Sequence, residues 1–288
     1  MRFGLIANLR RVGAREAVET VVSWAGRTGH ELVLCDTLKA MAPEHPRFCR
    51  QSDLAAQVDM LVSMGGDGTL LTTARSVGAQ GTPILGINLG SLGFLTQQTP
   101  AELAASLDKV AAGNYQIEDR MLLKAVATGR YKISVPYALN DIVLDRGPGS
   151  RILDIGLRVN GEDVVTYKAD GLIIATPTGS TAYSLAVGGP IMHPKMDAMI
   201  AAPIAAFSLT TRPMIFAGED VLELQLLTRN EEAHLTLDGQ VGIAVKSLET
   251  VLISRAEYRL RLVTFAENSY YSLLRNKLHW GVPPNYHT

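Results

Sequence analysis

The stretch Asp59-Met60-Leu61-Val62-Ser63-Met64-Gly65-Gly66-Asp67-Gly68-Thr69 decides how this chain folds. A mostly apolar run from Asp59 to Met64 predicts a buried strand. The glycines end it, and a helix follows through Val77. A strand feeding a helix across a tight turn is the repeating unit of a parallel sheet with crossover helices. Such sheets bind ligands at the carboxyl ends of their strands. Gly65, Gly66, Gly68 and Thr69 therefore form a candidate phosphate site: glycines let the backbone approach a ligand closely, and N–H groups at a helix start favour anionic oxygens. An acid in that turn, Asp67, can face a reacting group. Taken alone, Asp67 can equally cap the helix, since aspartate is a favoured N-cap residue.

Upstream, Arg2 to Ala7 reads as a strand. Ala14, Ala17, Val18, Val21, Trp24 and Ala25 then fall on one face of a helix, and Glu31 to Cys35 forms the next strand. Downstream, Pro83 to Asn88 is a further strand. Thr99-Pro100-Ala101-Glu102 combines a capping box with proline at the first helical position, and starts a helix to about Ala112. From about Met121 the pattern changes to β-branched, alternating segments with tight turns. Ile152–Val159 and Glu162–Lys168 flank Asn160-Gly161, a strong hairpin signal, and a second hairpin is expected at Asp238-Gly239. Helical spacing returns from about Asn268 to Leu278. The expected organisation is an α/β nucleotide-binding domain with a parallel sheet over 1–118, a mostly-β domain over 119–267, and a tail, 268–288, that packs back on the first.

The chain has 288 residues, 47% of them apolar and 19% charged, with a formal net charge of −1. That composition is globular, and the even charge excludes the basic footprint of a nucleic-acid binder. Met199–Leu209 is broken by Pro203 and falls short of the roughly 20 residues a membrane span needs. Two cysteines, Cys35 and Cys49, suggest neither a disulfide framework nor a zinc site, and a reducing cytoplasm fits. No Walker motif or G-x-G-x-x-G fingerprint follows a strand, which argues against a P-loop enzyme and a standard dehydrogenase.

Three further segments carry polar chemistry. Asp170-Gly171 leads through an apolar strand to Thr176-Pro177-Thr178-Gly179-Ser180-Thr181-Ala182-Tyr183-Ser184 and on to Gly188-Gly189-Pro190. Its small, hydroxylated turn can supply donors to phosphate or ribose, and Tyr183 offers a face on which a base can stack. The alternative is an ordinary helix start capped by Ser180 or Thr181. Leu139-Asn140-Asp141 lies in an otherwise apolar strand, and an amide beside a carboxylate can read amide edges and ribose hydroxyls; a solvent-facing edge strand is the alternative. Asp238-Gly239-Gln240 is explained by a hairpin turn alone.

Taken together and in this order, the four segments resemble the NAD kinase family from the first strand to about residue 265. The Gly-Gly-Asp-Gly turn also occurs in diacylglycerol kinase-like lipid kinases and, in related form, in phosphofructokinases; the Thr178–Pro190 segment with Asp238-Gly239-Gln240 points to NAD kinases. The resemblance implies a β-sandwich-like second domain, NAD bound between the domains, and homodimers or homotetramers. It implies ATP as phosphoryl donor and Asp67 as general base, with Asp67 and Gly68 contacting NAD. Asn140 and Asp141 match the family's Asn–acid pair, Asp141 being one methylene shorter than the usual glutamate. Arg151, Lys168, Asp170, Thr181, Ala182, Tyr183, Ser184, Leu185, Ala186 and Gln240 complete the implied dinucleotide site. A carboxylate is too weak a base to deprotonate a free alcohol beforehand, so it must act as the phosphoryl group begins to bond. Neutralising phosphate charge calls for a divalent cation, Mg²⁺ being the expected one; it binds mainly through substrate phosphates, and no protein ligand is assigned to it.

Overall fold

The computed structural model describes residues 1–128, 132–147, 151–229 and 231–278. The chain divides into two compact units, 1–118 with 261–288, and 119–260. The first unit begins with β1 (Arg2–Ala7), α1 (Ala14–Thr28), β2 (Glu31–Cys35), β3 (Phe48–Cys49), α2 (Gln51–Leu54), β4 (Met60–Gly65), α3 (Asp67–Val77), β5 (Ile84–Asn88) and α4 (Leu103–Ala111). Its strands pair in parallel in the order β5-β4-β1-β2-β3. All six residues of β4 are buried, as a central strand covered on both faces requires.

The helices cover this sheet with the faces their periodicity assigns. Buried on α1 are Ala14, Ala17, Val18, Val21, Trp24 and Ala25. The Trp24 indole donates to Asp108 of α4 at 2.7 Å, so its one polar atom is satisfied. Thr99 and Glu102 form the reciprocal capping box before α4. The strand order reverses between β1 and β4, which puts a crevice at their carboxyl ends. The loop Asn8–Gly13 leaves one lip of that crevice, and the turn Gly65–Gly68 forms the other.

The second unit holds β6 (Gln116–Ala127, which enters it from the first), β7 (Tyr137–Ala138), β8 (Asp141–Asp145), β9 (Leu153–Val159), β10 (Glu162–Ala169) and β11 (Gly171–Ala175). After α5 (Tyr183–Ala186) come β12 (Ala198–Ile204), β13 (Met214–Ala217), β14 (Leu222–Leu226), β15 (Glu232–Leu237), β16 (Val241–Lys246) and β17 (Thr250–Thr264). One antiparallel sheet runs β13-β12-β11-β8-β15-β16, and β10-β9-β14-β17 align in the other. Ile142, Leu144, Leu172, Ile174 and Leu235 from the first meet Leu153, Ile155, Leu157, Leu222, Leu224 and Ile253 from the second in one core, the arrangement of a β-sandwich. Val143, Ile173, Ala175 and Ile200 point the other way and are covered by Met192 and neighbours. That second cover is why β8 and β11 read as continuous apolar runs rather than alternating ones.

Both hairpin turns have the positive φ at two successive residues that their short loops demand: 51° and 85° at Asn160 and Gly161, 51° and 61° at Asp238 and Gly239. The second boundary lies at Leu260/Arg261, because β17 runs on and Leu262 pairs in parallel with Ile84 of β5; the stretch 261–267, read from the sequence as part of the β domain, therefore belongs to the first unit. The chain continues there into α6 (Tyr270–Leu278), which buries Leu273 and Leu274. The remaining tail, 279–288, lies outside the described residues. Cys35 and Cys49, well separated in sequence, are register partners across β2 and β3, and both are free thiols. No helix among the described residues is long and apolar enough to cross a membrane.

Candidate functional site

The glycine turn is shaped by what presses on it. A Cβ at Gly65 would lie 2.2 Å from the Thr69 hydroxyl, so only glycine lets the first turn of α3 fold back onto the end of β4. Gly66 adopts an extended conformation before the helix, and Gly68 faces open space. The Asn8 amide reaches the Thr69 hydroxyl at 3.5 Å, tying the β1 loop to this turn. From the same loop the Arg11 guanidinium lies 3.5 Å from where a Cβ would stand on Gly66, and equally close to that of Gly90. The first lip of the crevice thus carries a cation beside two bare backbone segments, at the positive end of α3.

Asp67 does not cap its own helix. Its carboxylate instead accepts four hydrogen bonds from the segment after β5: from the Phe94 N–H at 2.8 Å on Oδ2, and on Oδ1 from the Leu95 and Thr96 N–H groups, both at 3.1 Å, and the Thr96 hydroxyl at 2.9 Å. The acid is thereby held in one orientation at the crevice.

In the second unit Asn140 lies outside any strand and Asp141 opens β8. β7 ends at Ala138 and β8 begins at Asp141, and the break between them is made by Asp238. Its carboxylate accepts the N–H groups of Leu139, Asn140 and Asp141 at 3.0, 2.7 and 3.2 Å. Asp238 is therefore more than a hairpin residue: it replaces ladder partners that a continuous strand would have supplied. The Asn140 carbonyl accepts from the Thr176 N–H at 2.9 Å, and the Thr176 hydroxyl donates to the Leu139 carbonyl at 2.6 Å. Among the described residues the Asn140 side-chain amide forms no hydrogen bond.

The hydroxyl-rich turn is built against this break. The Gly179 N–H donates to Thr176 Oγ1 at 3.0 Å, and Arg120, only 4% exposed, donates to Thr178 Oγ1 at 3.2 Å. Ser180 does not cap a helix; its hydroxyl donates to the Pro177 carbonyl at 2.7 Å and accepts the Met192 N–H at 3.0 Å. Thr181 ends a 3₁₀ turn, Ala182 leads into α5, and Tyr183, 46% exposed, presents its ring to solvent. Buried Ser184 packs against Gly189, where a Cβ would come within 2.2 Å of its hydroxyl; Leu185 and Ala186 complete α5.

Burial, reinforced by the neighbouring Asp238 carboxylate, pushes Asp141 up to about 7. A carboxyl raised above its unfolded value of about 3.9 favours folding only while protonated, so its charge erodes stability as pH rises from about 4 to 7. Asp141→Asn removes that penalty. The variant is expected to gain stability over the parent progressively across this window, on the order of 4 kcal/mol at pH 8 and little at pH 4, in denaturant titrations at both ends. A pH-independent difference would mean that Asp141 does not titrate there.

Within one chain, Asn140, Asp141 and the Thr178–Ala186 turn come together. Arg151, Lys168 and Asp170 do not join them: Ala175 pairs with Asp141, but Gly171, next to Asp170, pairs with Asp145, about 13 Å further along the strands. Asp170 pairs there with Arg146 at 2.8 Å, and exposed Lys168 lies 3.8 Å from Asp154 on the adjacent strand. Arg151 is exposed. Gln240 is exposed after the Asp238–Gly239 turn, its N–H bonded to the Leu237 carbonyl. Sequence reasoning missed Arg11, Asn88, Thr96 and Arg120, and it did not find the contact of Asp238 with the 139–141 backbone. A separate cavity of about 700 Å³ between α1 and the loop 41–47 includes none of the site residues.

A doubly wound sheet with a glycine–acid turn at its switch point, carried with an antiparallel sandwich bearing a hydroxyl-rich turn, defines a class of two-domain phosphotransferases. The family models that match are the ATP-NAD kinase N-terminal domain, over residues 3–115, and the ATP-NAD kinase C-terminal domain, over 139–265. The chain belongs to the NAD kinase family. It is 45% identical over 233 residues to the NAD kinase of Geotalea daltonii, covering 81% of this chain and 82% of that one. With the NAD kinase of Moorella thermoacetica it shares 40% over 280 residues, 97% of this chain and 90% of the other. Among solved structures it is similar to an NAD kinase from Archaeoglobus fulgidus in complex with ATP, at 25% identity and a TM-score of 0.79, covering 97% and 99% of the two chains. The fold also matches yeast NADH kinase complexed with NADH, at 24% identity and a TM-score of 0.91, covering 100% of this chain and 90% of the other.

Proposed function

We propose that this chain transfers the terminal phosphoryl group of ATP to the 2′-hydroxyl of the adenosine ribose of NAD, giving NADP and ADP. The observation that carries the reading is the Asp67 carboxylate, held beside the glycine turn at the switch point, in a chain of this family. The bond from the γ-phosphorus to the ADP oxygen breaks as the ribose oxygen bonds to phosphorus. The hydroxyl proton passes to Asp67 late in that step and then to solvent.

Gly65, Gly66, Gly68 and Thr69 receive the donor phosphates, with Arg11 as a further cation. Asn140 and Asp141, with Gly68 and the Thr181–Ala186 turn, hold the dinucleotide. Arg151, Lys168, Asp170 and Gln240 stand in the proposal on the family resemblance alone. Among the described residues no cluster of three or more His, Cys, Asp or Glu could hold a metal ion. Mg²⁺ is proposed to arrive on the phosphates of ATP as part of the substrate. Two free thiols suit a cytoplasmic setting. Association as a homodimer or homotetramer is supported by the sheet-edge strand β13 and its preceding loop, which expose Ile215, Phe207 and Leu209.

The test is to incubate the purified protein with NAD, ATP and Mg²⁺ and to detect NADP with a dehydrogenase that accepts only the phosphorylated cofactor. NADP formed in proportion to enzyme is expected; none, with polyphosphate and NADH also supplied, would overturn the reading. Arg11→Ala should raise the KM for ATP about tenfold with kcat nearly unchanged, since a charge-assisted phosphate contact acts equally in ground and transition states. An unaltered KM in initial-rate measurements at saturating NAD would remove Arg11 from the site.

A further inference from the structure

The four donors on Asp67 are unevenly shared. Oδ1 takes three of them and Oδ2 one, although the two oxygens together offer only about four lone-pair positions. Oδ1 is thus saturated, whereas Oδ2 keeps a free direction. Among the described residues the only side-chain donor to Asp67 is the Thr96 hydroxyl, which belongs to a fully buried residue. Because its proton points to Asp67, its lone pair is left to accept, and it accepts from the Asn88 amide at 2.9 Å. Asn88, 3% exposed, is fixed in turn: its amide also donates to the Ser91 carbonyl at 2.7 Å, and its carbonyl accepts the Gly90 N–H at 2.6 Å. The orientation of the chain of donors therefore allows one solution only, Asn88 to Thr96 to Asp67. Gly93 closes the opposite side. A Cβ there would stand 2.0 Å from Oδ1 and 2.6 Å from the Thr96 hydroxyl.

We propose that Thr96, itself oriented by Asn88, is a positioning residue that anchors Asp67 through Oδ1 and so reserves Oδ2 for the proton of the substrate hydroxyl. This rests on the reading of Asp67 as general base. The ribose O–H bond breaks, the new O–P bond forms, and the proton goes to Oδ2, while Oδ1 keeps its hydrogen bonds throughout. A base held in this way loses no time in unproductive rotamers, and a small misplacement of such a group costs much in rate.

The test compares Thr96→Val, Thr96→Ser, Gly93→Ala and Asp67→Asn in the full chain, with NAD, ATP and Mg²⁺. Valine keeps the shape and the backbone donors but withdraws the hydroxyl. Thr96→Val is expected to lower kcat at least tenfold with both KM values within about twofold. Thr96→Ser, which keeps the hydroxyl, should restore kcat. Gly93→Ala reaches the same oxygen from the other side, should lower kcat alike, and serves as the test if the valine variant does not fold. Parental kcat in Thr96→Val, or in Gly93→Ala if it alone folds, with Asp67→Asn inactive, would overturn the anchoring role and leave the base intact. Near-normal turnover in Asp67→Asn would instead remove the base itself.

Discussion

Asp67→Asn is expected to lower turnover by at least about 10²-fold while the protein still folds and binds NAD, because an amide cannot accept the proton of the incoming hydroxyl. The surrounding donors make the substitution informative. An asparagine oxygen can take the place of Oδ1 and keep the three donors that converge there; its NH₂ group then opposes only the Phe94 N–H. The cost to stability is thus about one lost hydrogen bond, on the order of 1–3 kcal/mol. Single-turnover measurement of NADP formation, with NAD affinity measured by calorimetry, separates the chemistry from binding. Turnover near the parent's would leave Asp67 as an anchor of the segment 94–96 and nothing more.

Gly179→Ala is expected to damage the second unit most among conservative changes. A methyl group at 179 would stand 1.9 Å from the Asn140 carbonyl oxygen, 2.4 Å from its carbon and 2.7 Å from its Cα. These are backbone atoms, and the Asn140 carbonyl is already committed to the Thr176 N–H, so the contact cannot be relieved by a side-chain rotation. Overpacking of this kind costs about 3 kcal/mol or more, and displacement of Asn140 should weaken NAD binding at least tenfold. Denaturant unfolding and calorimetry read the two effects. Gly26→Ala is the control: nothing lies within 4 Å of its new methyl group, and in the body of α1 it should be neutral or stabilising by up to about 1 kcal/mol. Equal behaviour of the two variants would mean that the Gly179–Asn140 contact yields freely.

What the sequence made legible was local. The buried face of α1, the capping box at Thr99 and Glu102, and both positive-φ hairpins depend on residues within a few positions of one another, so periodicity and turn chemistry suffice. The glycine turn was visible for the same reason. The partners of Asp67 lie 27 to 29 positions downstream, and those of Asp238 lie 97 to 99 positions upstream. No spacing rule connects such residues. Hence Asn140 reads as a strand residue when it lies in the break before β8, and Asp238 as a turn when it stitches that break. Likewise, Cys35 and Cys49 come side by side only because β2 and β3 pair in parallel across an intervening loop.

The first unit is not contiguous in the chain: residues 261–278, which supply the end of β17 and α6, return to it after the whole sandwich has been traversed. On a ribosome, β5 therefore emerges long before Leu262 arrives to pair beside Ile84. Until then the nascent chain carries an uncovered strand edge, the kind of surface that templates pairing with other chains. Closure of that edge of the first unit's sheet therefore waits until the strands of the sandwich have been made.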